Sequence, residues 1–157
     1  MKYLSQNCEL TLREGLQEYT DNYKFLNKND GHDDVSQWFR NHDVTHVIFG
    51  TIPFQLRGES INDTWTLFGS DMTFKEYMKF FKITGVDYRT VMKSYKKHYG
   101  SMFRVYLMML VYIPDMLSAI FRSYKMTKKW NWHSHEEYFD IPLKDLRGEF
   151  NINVMKP

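Results

Sequence analysis

The chain has 157 residues, 43% of them hydrophobic and 25% charged, which suits one globular domain and excludes a disordered chain or a second catalytic domain. The 21 Lys and Arg against 19 Asp and Glu leave a net charge of +2, too little for the basic field that nucleic-acid binding needs. The single cysteine, Cys8, excludes an intramolecular disulfide, and the first residues, MKYLSQNCELTLREGL, lack the apolar stretch of a signal peptide, so a reducing cytoplasm is expected.

In chain order, the pattern predicts a helix over 10–26, a polar loop from Asn27 to His32, and a second helix capped by Asp33 or Asp34 that stops at Gly50, shortly before Pro53. A third helix is expected over Leu56 to Phe68 and a fourth over Thr73 to Phe81, where Phe74, Tyr77, Met78 and Phe81 recur at helical spacing. Gly85 and Gly100 mark further breaks. Residues 101–124 read as one long helix, apolar on most faces, with a possible kink at Pro114. Its unbroken apolar run, Val105 to Ile113, is far short of the ~20 residues of a bilayer span. A short last helix starts at Pro142 and aligns Leu143, Leu146 and Phe150. No stretch alternates long enough to define a strand, so the expected class is all-α, a single compact helical domain. The load of 12 Phe, 11 Tyr, 4 Trp and 10 Met suits a core of large, adaptable side chains that lines a cavity.

Chemistry concentrates in the second helix. Val35, Trp38, Phe39, His42, His46 and Phe49 fall on one stripe. Both histidines therefore lie within the apolar face, and Asp43 stands ~60° around the helix from His46. Two imidazoles and a carboxylate buried without partners cost several kcal/mol, whereas a divalent ion takes neutral His and ionised Asp as ligands. The next acid, Glu59, follows the turn at Gly50 to Pro53 and supplies a fourth group. Periodicity leaves its direction open, because it stands ~160° around a regular helix from Ile61. His42, Asp43, His46 and Glu59 are thus the candidate metal ligands, for zinc foremost, with manganese and iron as further options.

Three readings of such a site compete. HDxxH imitates the zinc-protease HExxH, but Asp is one methylene shorter and no strand precedes it. An HD-type phosphohydrolase would use His42-Asp43 with His32 and either Asp87 or Asp115, and would leave His46 unexplained. In the third, His42-Asp43-x-x-His46, twelve residues and then Glu59 resembles the HDxxH-(x)10-14-E motif of the coenzyme Q (ubiquinone) biosynthesis protein 4 family. The segment Ile141-Pro-Leu-Lys-Asp-Leu-Arg-Gly-Glu-Phe-Asn-Ile152 is similar to that family's closing Leu-x-x-Leu-Arg-x-x-Leu/Phe-x-Ile pattern. Gly50 and the Gly58-Glu59 pair also match, and the resemblance covers about residues 30–153, in a chain shorter before the motif than family members usually are.

That resemblance implies an all-helical, membrane-peripheral protein that binds a polyprenylated aromatic quinone precursor. It further implies oxidative removal of the carboxylate at carbon 1 of the ring and assembly with other quinone-biosynthesis enzymes, while the sequence leaves an oligomer open. For the prenyl tail or another lipid the apolar helix offers Val105, Met108, Met109 and Tyr112. The different-class alternative is a lipid-binding protein in which the metal only fixes the fold. Elsewhere, His133, His135 and Glu136 (WNWHSHEE) read as a solvated loop rather than a metal site, and His98 as a cation at a helix C-terminus. Lys125, Lys128 and Lys129, beside Trp130 and Trp132, suit either a lipid-headgroup surface or a solvated loop.

Overall fold

The computed structural model describes residues 1–23, 33–83 and 88–156, without the side chains of Phe80, Phe81 and Ile83. The predicted loop Asn27 to His32 and the break at Gly85 lie outside those residues, as does the side chain of Phe81 in the fourth stripe. Among the described residues the chain forms eight α-helices, and its extended pairings are two isolated bridges, Thr11 with Pro142 and Ser70 with Trp130. The class is all-α.

Local chemistry sets most boundaries. Helix α1 (Leu12–Asn22) opens on a reciprocal capping box, in which Thr11 Oγ1 accepts from the Glu14 N–H and the Glu14 carboxylate accepts from the Thr11 N–H. Helix α2 (Asp34–Phe49) is capped by the Asp33 carboxylate, which accepts from the Val35 and Ser36 N–H groups. It ends at Gly50, whose φ of 66° is a left-handed conformation that a side chain would strain. Helices α3 (Leu56–Gly69), α4 (Phe74–Ile83) and α5 (Tyr88–Tyr99) follow.

The expected long helix over 101–124 is two, α6 (Met102–Val111) and α7 (Ile113–Ser123), bent by about 40°. The break falls before Pro114 rather than at it. Proline lacks the N–H that would bond the Leu110 carbonyl, but is tolerated in a first turn, so the chain restarts there. Among the described residues no single helix is long and apolar enough to cross a membrane. Helix α8 (Leu143–Phe150) closes the fold.

Helix α3 is central, packed against α2, α6 and α7, with α1 on the other side of α2. The main core joins Leu12 and Tyr19 of α1, Val44, Val47 and Ile48 of α2, Ile61 and Trp65 of α3, and Leu143, Leu146 and Phe150 of α8. Phe49 stacks flat on Trp65, ring centroids 4.8 Å apart, which locks the end of α2 to α3. The α2 stripe is therefore one-sided only in its first half. From Asp43 to Phe49 every residue is buried, because α1, α3 and α8 enclose that end.

A buried arginine holds this arrangement. Arg147 of α8 has no exposed surface and donates to the carbonyls of Val47, Ile48, Tyr3 and Ser5. Burial pulls its pKa down to about 10, still charged at neutral pH. A cation at the C-terminus of α2 complements the exposed carbonyls there.

Helix α4 sits at the edge, with Phe74 and Met78 66% and 46% exposed and Tyr77 turned inward against Trp38. Two expectations are corrected. Trp130 and Trp132 are fully buried, so they anchor no lipid headgroup, and Lys128 pairs with Glu149 at 2.5 Å. His135 is also fully buried, with Nδ1 against the Asn131 and Trp132 carbonyls, whereas His133 is exposed as expected.

Candidate metal centre

Successive turns of α2 present His42 and His46 toward α3, with ring centroids 4.7 Å apart. Trp38 stacks on His42 and Tyr19 on His46, at 5.1 and 5.8 Å, so each imidazole is clamped on one face. From the first turn of α3, Glu59 Oε2 reaches to 3.4 Å from His46 Nε2 and 3.8 Å from His42 Nε2. One ligand atom from each of these three residues lies within 4.8 Å of the others.

The direction of Glu59, which periodicity left open, is set by two backbone features. Gly58 lies so close to the preceding turn that an added Cβ would stand 1.8 Å from the Ile52 carbonyl oxygen. Phe54, at a left-handed φ of 62°, points its N–H at Glu59 Oε1, 2.6 Å away. One carboxylate oxygen is thus held by backbone, and the other faces the imidazoles.

Hydrogen bonds around Asn62 fix the state of His46. The Thr45 hydroxyl donates to the His42 carbonyl (2.7 Å), so its oxygen accepts from Asn62 Nδ2 (3.0 Å). This turns Asn62 Oδ1 toward Thr51, whose hydroxyl donates to it (3.1 Å). Thr51 has no hydrogen left and must accept from His46 Nδ1, 2.8 Å away. Nδ1 therefore carries a proton, and Nε2 is the ring atom that faces Glu59. That nitrogen is fully buried and among the described residues has no hydrogen-bond partner. A second Asn62 N–H faces His42 Nε2 at 3.3 Å.

Electrostatically the site is anionic. Burial opposes a charged carboxylate at Glu59, but His46, His42 and the Phe54 N–H outweigh it and hold the group at about 2. Burial likewise opposes charge on His42, yet the carboxylates of Asp63, Glu59 and Asp43 raise its pKa above the ordinary value.

The structure brings together three of the four expected ligands. Asp43 is buried beside them but outside the cluster, its Oδ1 accepting a hydrogen bond from the Tyr19 hydroxyl at 2.9 Å. Burial pushes its carboxyl up and keeps the Tyr19 hydroxyl protonated. Sequence reasoning missed Asp63, one turn beyond Glu59, whose Oδ1 is 3.8 Å from His42 Nε2. The four-residue spacing of Glu59 and Asp63 was the available signal. It also missed Asn62 and Thr51, for which no motif exists.

These residues open onto a cavity of about 400 Å³, lined by Trp38, Phe39, Phe54, Leu56, Tyr77, Tyr88, Met92, Tyr95 and Met109 among others. Of the four residues expected to meet a lipid, Met109 lines this cavity, and Met108 and Tyr112 are half-buried beside it. Val105 is packed out of reach against Leu56 and Met92. The open apolar face of α6 and α7 is a different one, formed by Phe103, Leu107, Leu110, Leu117 and Phe121. Of the further residues that the phosphohydrolase reading would use, Asp115 pairs with Arg57 at 2.7 Å, and His32 and Asp87 lie outside the described residues. No protein-family model matches the chain, and no curated protein or solved structure is significantly similar to it.

Proposed function

We propose that this protein is a metal-dependent enzyme acting on a prenylated aromatic acid, as the resemblance to the ubiquinone-biosynthesis protein 4 family implies, and that His42, His46 and Glu59 carry its divalent ion. The observation that supports this most is the buried, unpartnered Nε2 of His46, facing His42 and Glu59 at the wall of an apolar cavity. Two neutral imidazole nitrogens and a carboxylate are a ligand set for zinc, manganese or iron, and the excess negative charge here favours a cation.

The chain's own residues would divide the work. Thr51 and Asn62 orient the imidazoles, the Phe54 N–H orients Glu59, and the aromatic walls from Trp38, Tyr77 and Tyr95 exclude water and hold an aromatic ring. The ion, when bound, supplies a Lewis acid for a ring hydroxyl or carboxylate as carbon dioxide departs. The exposed apolar face of α6 and α7, next to Arg122 and Lys125, fits a protein lying on the cytoplasmic face of a membrane. Association with other enzymes of the pathway belongs to the same reading.

The test is elemental analysis of the purified protein, followed by titration with prenylated phenols of increasing tail length. We expect one equivalent of divalent ion and affinity that rises with tail length, since each buried CH2 contributes ~0.8 kcal/mol. Met109→Lys should weaken prenyl binding and leave the metal in place. Absence of stoichiometric metal would overturn the reading. Metal with affinity independent of tail length would favour a structural ion instead.

A further inference from the structure

We infer that α5, α6 and α7 form a docking surface for a bilayer rich in anionic lipid. This rests on the membrane-peripheral part of the function proposed above, is independent of the metal, and names the lipid chemistry which that part leaves open.

Charge is distributed unevenly along the chain. Residues 88–129 hold nine Lys and Arg and one acid, Asp115, a local net charge of +8. The whole chain is +2, so the other residues sum to −6. Even the single acid is neutralised, since Asp115 meets Arg57 of α3 at 2.7 Å. Within the span Lys128 is met by Glu149, which leaves α5 and the ends of α6 and α7 as the basic part. Lys93, Lys96 and Lys97 are exposed on α5, Arg104 on α6, and Lys125 just beyond α7.

These cations frame apolar surface. On α6, Phe103, Leu107 and Leu110 fall at i, i+4 and i+7, and all are exposed. On α7, exposed Leu117 and Phe121 lie one turn apart and line a shallow groove together with Arg122 and Lys125. Large apolar side chains and cations on one face are the pattern of a helix lying in a headgroup layer. The other sides of both helices are committed to protein. Val105 packs against Leu56 and Met92, Ala119 and Ser123 are buried, and α7 lies along α3. The pair therefore rests on a bilayer rather than crossing it.

The charge selects the occupant. A second copy of the chain would bring one strongly basic face against another. A nucleic acid would use the cations and leave the apolar row in water. A bilayer with anionic headgroups satisfies both at once. The dock also meets the cavity, because Met92 and Tyr95 of α5 and Met109 of α6 form one of its walls. Docking thus sets that wall against the layer in which a prenylated compound resides.

The experiment is co-sedimentation of the full chain with phosphatidylcholine vesicles, with and without phosphatidylserine, at low and high salt. Binding should require phosphatidylserine and weaken with salt. Joint Lys93→Gln, Lys96→Gln and Lys97→Gln should lower affinity ~100-fold, at roughly a factor of five per cation. Neutralising Lys2, Lys75 and Lys156, which are exposed outside this unit, should change it little. Leu110→Ser with Phe121→Ser should also weaken binding, with helical content by circular dichroism unchanged. Equal binding to both vesicle types, or equal losses for the two lysine triplets, would overturn the anionic-lipid inference and leave membrane association standing. Absence of binding to either vesicle would overturn both. In that case a dimer in sedimentation velocity that the Leu110 and Phe121 changes dissociate would assign the face to a second copy, and tight binding to duplex DNA that ignores those changes would assign it to nucleic acid.

Discussion

Thr51 shows how much a single uncharged residue decides. Its hydroxyl has one hydrogen, committed to Asn62, so its oxygen must receive the His46 Nδ1 proton, which turns Nε2 toward Glu59. Thr51→Val preserves shape and removes that acceptor. Metal affinity should fall ~10–100-fold with the fold intact, as read by chelator competition alongside circular dichroism, and an unchanged affinity would show that His46 does not depend on this bond. None of this was legible in the sequence, because Thr51, Asn62 and Thr45 form no motif and meet only once α3 turns back on α2. His42 and His46 were legible, since helical periodicity alone puts them on one face. The role of Asp43 was not, because its partner Tyr19 comes from α1, and no spacing within α2 encodes that contact.

At the scale of elements, boundaries were legible where one residue's covalent chemistry decides them. Gly50, Gly100, Pro142 and the Asp33 cap end or begin helices as expected. Pro114 divides the long apolar segment in two. Which face of α6 turns inward was not legible, because its apolar residues occupy most of its circumference and only the positions of α3 and α5 choose among them. The connection between α2 and α3 is the element on which the site depends. At Gly58 a methyl group would collide with the Ile52 carbonyl oxygen at 1.8 Å, and relief requires α3 to move away from that turn. Gly58→Ala should therefore lower metal affinity more than Ser60→Ala, a change on the same helix turn that meets no such contact, and should also lower the melting temperature. Thermal unfolding with and without Zn2+ separates the two effects, and equal melting temperatures for Gly58→Ala and the unaltered chain would refute the steric account.

Across the whole molecule, Arg147 joins segments that are far apart in sequence: the amino-terminal turn, the end of α2, and α8. Arg147→Met retains a long side chain but leaves four carbonyl groups without their donor. Stability should fall by about 3 kcal/mol, measured by urea denaturation, and a loss under about 0.5 kcal/mol would mean that water replaces the guanidinium without penalty.

The same arginine has a bearing on the order of events during synthesis. The carbonyls of Val47 and Ile48 emerge from the ribosome about 100 residues before the side chain that covers them, several seconds at ~5–20 residues per second. Through that interval the last turn of α2, which carries His46, is closed only by the backbone N–H groups of Gly50 and Thr51, without the buried cation that ties it to the amino-terminal turn. The proposed metal site therefore reaches its full rigidity only in the finished chain, and a nascent chain stalled before α8 should bind Zn2+ more weakly than the released protein.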